Sequence, residues 1–183
     1  MELYGERGFE QTTVAEIAER AGLTERTFFR HFADKREVLF GGSDAVRDAL
    51  VEAVAGAPEP ASPLAAVGAG LMAFAEVLET ERGRTFARRR QRIISSNDEL
   101  RERELIKLAT WATALADALR RRGVDEAAAR LAAEVGVAVF KAAFERWVAT
   151  TRGPKLPELV QETLDGLSAL ASAGSGRIPA AAR

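Results

Sequence analysis

Thr13-Val14-Ala15-Glu16-Ile17-Ala18-Glu19-Arg20-Ala21-Gly22-Leu23-Thr24-Glu25-Arg26-Thr27-Phe28-Phe29-Arg30-His31-Phe32 holds two helix starts and the turn between them. Thr13 and Glu16 form a capping box, in which the hydroxyl accepts from the Glu16 amide and the carboxylate reaches back. Gly22 turns the chain at little steric cost, and Thr24 caps a second short helix, Glu25 to Phe32. Ile17, Ala18, Ala21, Leu23, Phe28 and Phe32 are the expected shared core, with Ala18 and Ala21 small enough for close helix approach. A short helix, a Gly-containing turn and another short helix make a helix-turn-helix, whose second helix enters the DNA major groove. Taken alone, the same pattern also suits plain helix packing.

The outward residues of the second helix favour DNA. Thr24 and Thr27 offer hydroxyls, while Arg26 and Arg30 offer forked donors for guanine edges or phosphates. Lys35, ahead of the next helix, is expected to combine its ammonium with free backbone N–H groups as a phosphate site. Total charge gives no support, because the net is −1 and the first forty residues carry six Lys/Arg against eight acids. Charge placement must therefore carry the reading.

On either side of this unit the spacing predicts helices throughout and no hairpin-forming strands. Leu3 to Arg7 reads as the end of a helix closed by Gly8. Asp34-Lys35-Arg36-Glu37 opens a longer helix to about Ala55, and Gly56-Ala57-Pro58-Glu59-Pro60 stops it. Ser62-Pro63 starts a helix ending near Thr80, with Pro63 in the first helical position. Further helices are expected from Gly83 to Ile94, from Asp98 to Arg122, from Asp125 to Thr150 and from Pro157 to Ser172. The fold class is all-α with eight or nine helices. Residues 1–40 form the helix-turn-helix unit, 41–172 a helical ligand-binding and dimerisation domain, and 173–183 a flexible tail.

Composition excludes several functions. With no cysteine and His31 as the only histidine, neither a disulfide nor a Cys/His zinc site can form. No cysteine nucleophile, second histidine or Gly-rich phosphate loop supports an enzyme, and no metal or cofactor is expected. The longest apolar run, Leu64 to Ala75, is too short to span a bilayer, and no secretory signal opens the chain. A cytoplasmic protein is expected.

The segment Gly8 to Ala18, with Ala21-Gly22-Leu23-Thr24 and Thr27-Phe28-Phe29-Arg30-His31-Phe32-Ala33-Asp34-Lys35-Arg36-Glu37-Val38-Leu39, resembles the signature of the tetracycline-repressor-like (TetR) family of transcriptional regulators. The resemblance implies a homodimer that binds a double-stranded, pseudo-palindromic DNA operator and is released by a small-molecule effector. It implies DNA contacts from Thr13, Thr24, Arg26, Thr27, Phe29, Arg30, His31 and Lys35, with Thr13 and Lys35 on the backbone. The family usually has Tyr where Phe29 stands, and Phe29 cannot donate to a phosphate. The family's first helix ordinarily starts well ahead of the position of Met1, so a shortened first helix is expected here. An activator uses the same DNA-binding surface, and a helical dimeric interaction module is the other alternative.

The remainder resembles the family in helix layout only. Leu131 and Val135, with Ala128, Ala138 and Ala142, form one apolar stripe, and Gly136, Phe140, Phe144 and Trp147 another. A helix apolar nearly all round is buried on two sides. Val160, Leu164 and Leu167 repeat the pattern, which suggests a dimer interface of Leu131, Val135, Val160, Leu164 and Leu167, two helices from each chain. Met72, Phe74, Phe86, Trp111, Phe140, Phe144 and Trp147 are candidate lining for a hydrophobic effector site, although core packing explains any single one. Arg84, Arg88 and Arg92 share a face, beside Arg89 and Arg90. A solvated face is the plain reading; an inward arginine on an anionic ligand, or a relay to the DNA-binding unit, is the alternative.

Overall fold

A computed structural model of the chain describes residues 1–173, and these form ten helices with no strand. The N-terminal unit contains α1 (Glu2–Arg7), α2 (Val14–Arg20), α3 (Glu25–His31) and α4 (Glu37–Phe40). Both halves of the Thr13–Glu16 capping box are present: the Glu16 amide donates to Thr13 Oγ1 at 3.3 Å and the Thr13 amide to Glu16 Oε2 at 2.8 Å. Thr24 Oγ1 accepts from the Thr27 amide at 3.2 Å and so caps α3. Gly22 takes φ +68, a value that L side chains rarely adopt, and permits the tight turn from α2 to α3.

The shared core of α2 and α3 is smaller than expected. Ala18 and Phe28 are buried and Ile17 and Phe32 half-buried, but Ala21 and Leu23 are exposed. Leu23 contributes its backbone instead, donating its amide to the Ala18 carbonyl at 2.8 Å, which closes the turn. A separate apolar cluster compensates. Tyr4, Phe9, Leu39 and Phe40 from the N-terminal unit pack with Ile93, Ile94 and Leu100 from the larger domain. The two units therefore share a core.

The single long helix expected from Asp34 to Ala55 is two helices. Asp34 does bind the start of the helix, accepting from the Arg36 and Glu37 amides at 2.7 and 3.3 Å. However, α4 stops at Phe40, and α5 (Ser43–Ala55) begins after Gly41-Gly42. Gly42 has φ +85, which a helix cannot contain. A residue with a Cβ would resist that geometry.

The larger domain is built from α5, α6 (Pro63–Leu78), α7 (Glu81–Ser95), α8 (Asp98–Arg121), α9 (Glu126–Ala149) and α10 (Leu156–Ala173). Ser62, Thr80, Asn97 and Asp125 cap α6, α7, α8 and α9 through their side chains. The cap of α8 is thus Asn97, one residue ahead of the expected helix start Asp98, which lies in the first turn. The α9 helix is central, packing on α6, α7, α8 and α10. Gly136 makes its approach to α6 possible: a Cβ there would stand 2.3 Å from Val67 Cγ1. Arg122 closes the far end of α5 by donating to the Ala55 and Ala57 carbonyls at 2.9 and 2.8 Å.

Ala173 ends α10, and the rest of the expected tail lies outside the described residues. Among the described residues no single helix is long and apolar enough to cross a membrane.

Candidate functional site

The exposed face of α3 is the first part of the site. Thr24, Arg26, Phe29, Arg30 and His31 are exposed and Thr27 is half-buried, its hydroxyl 3.1 Å from that of Thr24. Phe29 is 54% exposed yet meets Phe28 edge-on, with ring centroids 5.5 Å apart. Arg26 has no ion-pair partner among the described residues, and Arg30 approaches only His31 Nε2, at 3.5 Å. Two forked cations thus stand available on one short helix.

The basic surface is narrower than the sequence suggests. Arg36 bonds Asp34 through Nε at 2.9 Å, and that guanidinium is the chief cause holding the Asp34 carboxyl below its ordinary range. The Lys35 ammonium sits on carbonyls rather than at a helix N-terminus, donating to Phe9, Glu10 and Thr12 at 2.9, 3.2 and 3.1 Å. All three of its protons are engaged. Lys35 therefore fixes the loop that presents Thr13, the exposed N-cap of α2. Tyr4 ties the same region down by donating to the Lys35 carbonyl at 2.5 Å.

The second part is a cavity of about 600 Å³ between α4, α5, α6, α7, α8 and α9. Of the candidate effector-site residues, Phe74, Phe86, Trp111, Phe140 and Phe144 line it. Their rings form a ladder: Trp111 meets Phe74 at 5.8 Å, Phe74 meets Phe140 at 5.4 Å, and Phe140 stacks on Phe144 at 5.7 Å. Met72 and Trp147 do not line it. Met72 is two positions from Phe74, so its side chain leaves the helix on another face. It is half-buried against the general core. Trp147 lies beyond Phe144, fully buried, with Arg84 5.1 Å from its ring centre.

A charged corner interrupts the apolar wall, and the sequence reading missed its make-up. Arg90 Nη2 and Lys107 Nζ both donate to Glu104, each at 2.7 Å. Burial pulls the Glu104 carboxyl upward, but the Arg90 bond and the Lys107 charge outweigh it and leave the net shift downward. Burial dominates at Lys107 and draws it down to about 8, against the opposing pull of Glu104. The i,i+3 spacing of Glu104 and Lys107 was legible, but not the approach of Arg90 from another helix. Of the arginine run, Arg84 and Arg90 turn inward rather than forming a solvated face.

Contacts also join the cavity wall to the N-terminal unit. Arg90 Nε donates to the Leu39 carbonyl at 2.7 Å, and Arg103 donates to Glu37 at 2.6 Å. Both guanidinium groups face the Phe40 ring, 5.0 and 5.9 Å from its centre. Asn97 reaches Glu10 at 2.6 Å, and Arg89 reaches the Glu2 carbonyl at 3.2 Å.

The expected interface residues divide. Leu131 is 66% exposed and continues through the exposed Ala138 and Ala142. Val135, Leu164 and Leu167 are half-buried and pack on the core of their own chain. Val160 is fully buried there and presents nothing to a partner, because α10 turns that face onto α6 and α9.

A helix-turn-helix with a free second helix, joined through a two-glycine break to a helical domain with a cavity, defines a DNA-binding transcriptional regulator with a sensing domain. The family description of bacterial regulatory proteins of the tetR family matches residues 1–40, and that of the MftR C-terminal domain matches residues 61–171. The chain belongs to the tetR family of bacterial regulatory proteins. It is 27% identical over 151 residues to a putative mycofactocin biosynthesis transcriptional regulator, MftR, of Mycobacterium tuberculosis, covering 81% of this chain and 75% of that protein. It is 40% identical over 73 residues to the regulator TcmR of Streptomyces glaucescens, a match spanning 40% of this chain and 32% of TcmR. Among solved structures, PfmR of Thermus thermophilus aligns over 96% of both chains with 26% identity and a TM-score of 0.50. FadR of the same organism, in complex with lauroyl-CoA, aligns over 100% of this chain and 95% of its own with 24% identity and a TM-score of 0.57.

Proposed function

We propose that this protein is a cytoplasmic repressor that binds a pseudo-palindromic operator as a homodimer and is released by a small, largely hydrophobic effector. One observation carries the reading: the cavity-wall residue Arg90 bonds the backbone of α4, which closes the unit bearing the exposed α3 face. On this reading both binding events lie within reach of one short helix. An effector that binds one arrangement of α4 better than another shifts the population between them; equal affinity for both would have no effect.

Thr24, Arg26, Thr27, Phe29, Arg30 and His31 form the reading face, with Thr13 beside them on the backbone. The exposed Leu131, Ala138 and Ala142 support an α9-centred interface, which Leu170, 74% exposed on α10, extends. Two-fold pairing would present two α3 helices to half-sites of one operator. The FadR complex with lauroyl-CoA supports an effector with an apolar portion.

The test is a titration of the purified chain on the DNA upstream of its own gene, across salt concentrations, with random DNA as control. Specific binding with a steep salt slope is expected, and a protected site of two half-sites about one helical turn apart. Equal binding to random DNA at all salt concentrations would sink the reading.

A further inference from the structure

The cavity is apolar over most of its wall, yet it holds more positive than negative charge. Arg90, Arg101, Lys107 and Lys141 line it against Glu104 and Glu145, in a chain whose net charge is −1. The imbalance is sharpest at the buried corner. The single Glu104 carboxylate serves both Arg90 and Lys107, and the side chains of all three are 12–17% exposed. An excess cation in such a place is costly unless another anion joins it.

Lys107 is the under-served member. One ammonium proton goes to Glu104, and the group lies 4.8 Å from the centre of the Trp111 ring. No other acceptor meets it among the described residues. Lys107 also stands in the wall of a neighbouring polar cavity of about 290 Å³, lined in addition by the ion pairs of Arg47 with Asp44 and of Arg103 with Glu37. Lys107 therefore stands where a mostly apolar chamber meets a polar one.

We propose that Lys107, beside Arg90, anchors the anionic head of an amphiphilic effector whose apolar body lies along Phe74, Phe140 and Phe144. This rests on the effector-controlled reading above and deepens it. One added monoanion balances the two cations and Glu104, whereas an uncharged or cationic head leaves the excess in place. A carboxylate suits the position, since an ammonium keeps further donors for it after serving Glu104. The head would also bear on the DNA-binding unit. Gly41, Gly42 and Ser43 line both cavities, and Arg90 divides its donors between Glu104 and the Leu39 carbonyl.

The probes are dodecanoate and 1-dodecanol, titrated into the full chain below their aggregation concentrations and followed by the combined fluorescence of Trp111 and Trp147. Dodecanoate is expected to bind about tenfold tighter or more, the usual worth of a charge-assisted bond. Lys107→Met should abolish that preference, and Lys107→Arg should keep most of it. Absent binding of dodecanoate, equal affinity for acid and alcohol, or undiminished preference in Lys107→Met would each overturn the assignment. The acid–alcohol comparison needs no variant, so a misfolded Lys107→Met leaves the test intact. Operator binding by the unliganded chain is read separately. A chain that binds operator but shows no preference for the acid loses this inference and keeps the regulator reading.

Discussion

Arg90 Nε donates to the Leu39 carbonyl at 2.7 Å, so a side chain of the cavity wall holds the last turn of α4. The same guanidinium binds Glu104 at 2.7 Å and is mostly buried. Glu104 keeps Lys107 when Arg90 is removed, but the Leu39 carbonyl loses its side-chain donor, a loss of about 1–3 kcal/mol for a polar group left unsatisfied. Arg90→Met is therefore expected to lower the unfolding free energy by roughly that amount in urea titration. Unchanged stability would mean that the contact does not dock α4 on α7.

Arg30 and Lys35 should separate cleanly. Arg30→Ala is expected to weaken operator binding by about 1–3 kcal/mol with little change in melting temperature. Lys35→Met removes three bonds to the loop before α2 and should cost about 1–3 kcal/mol of stability before any DNA is added. Thermal melts and operator titrations on both variants decide. A stable Lys35→Met that binds DNA poorly would return Lys35 to direct phosphate contact.

Gly136→Ala tests the contact between α9 and α6. Helix propensity favours alanine by roughly 1 kcal/mol at such a position. Here the added methyl would meet Val67 at 2.3 Å, and overpacking costs about 1–3 kcal/mol. Net destabilisation is expected in chemical denaturation, and Val67→Ala should relieve it. A stabilised Gly136→Ala would show that the helices can separate without loss.

Lys107 should leave a mark on the pH dependence of stability. Burial lowers its folded value to about 8 from the ordinary 10.5, so between those limits the unfolded chain binds more protons. The burden on the fold is full below pH 8 and gone above 10.5. Wild-type stability should thus gain on that of Lys107→Met as pH rises through this window, by on the order of 3 kcal/mol. Glu104, its carboxyl held below the ordinary range, stays ionised there, so the change belongs to Lys107. A difference that stays flat from pH 8 to 10.5 would refute it.

Leu131→Glu addresses the exposed α9 stripe. A charge at the centre of the proposed apolar interface should convert the proposed dimer to monomer in sedimentation velocity. Operator affinity should fall about tenfold or more, because the two half-sites are then engaged separately. A variant that stays dimeric would move the interface away from α9.

Much of this protein was legible before any coordinates. Thr13 with Glu16, Thr24 and Gly22 announce the helix-turn-helix because capping and positive φ are local requirements, met by neighbours in the chain. The caps Ser62 and Asp125 and the aromatic positions Phe74, Trp111, Phe140 and Phe144 follow from local signals and helix periodicity in the same way. Gly41-Gly42 carried its signal openly, yet the helix-forming residues around it masked the break. Other features depend on which helices meet. That Lys35 spends its protons on a loop, that Val160 and Trp147 belong to the interior, and that Met72 leaves the cavity are results of packing. The meeting of Arg90 with Glu104, Lys107 and Leu39 joins residues far apart in sequence, and only the tertiary arrangement of α4, α7 and α8 decides it. The sequence determined the helices and the DNA-reading unit through short-range bonds; the charged corner arose because burial and long-range pairing are properties of the folded chain alone.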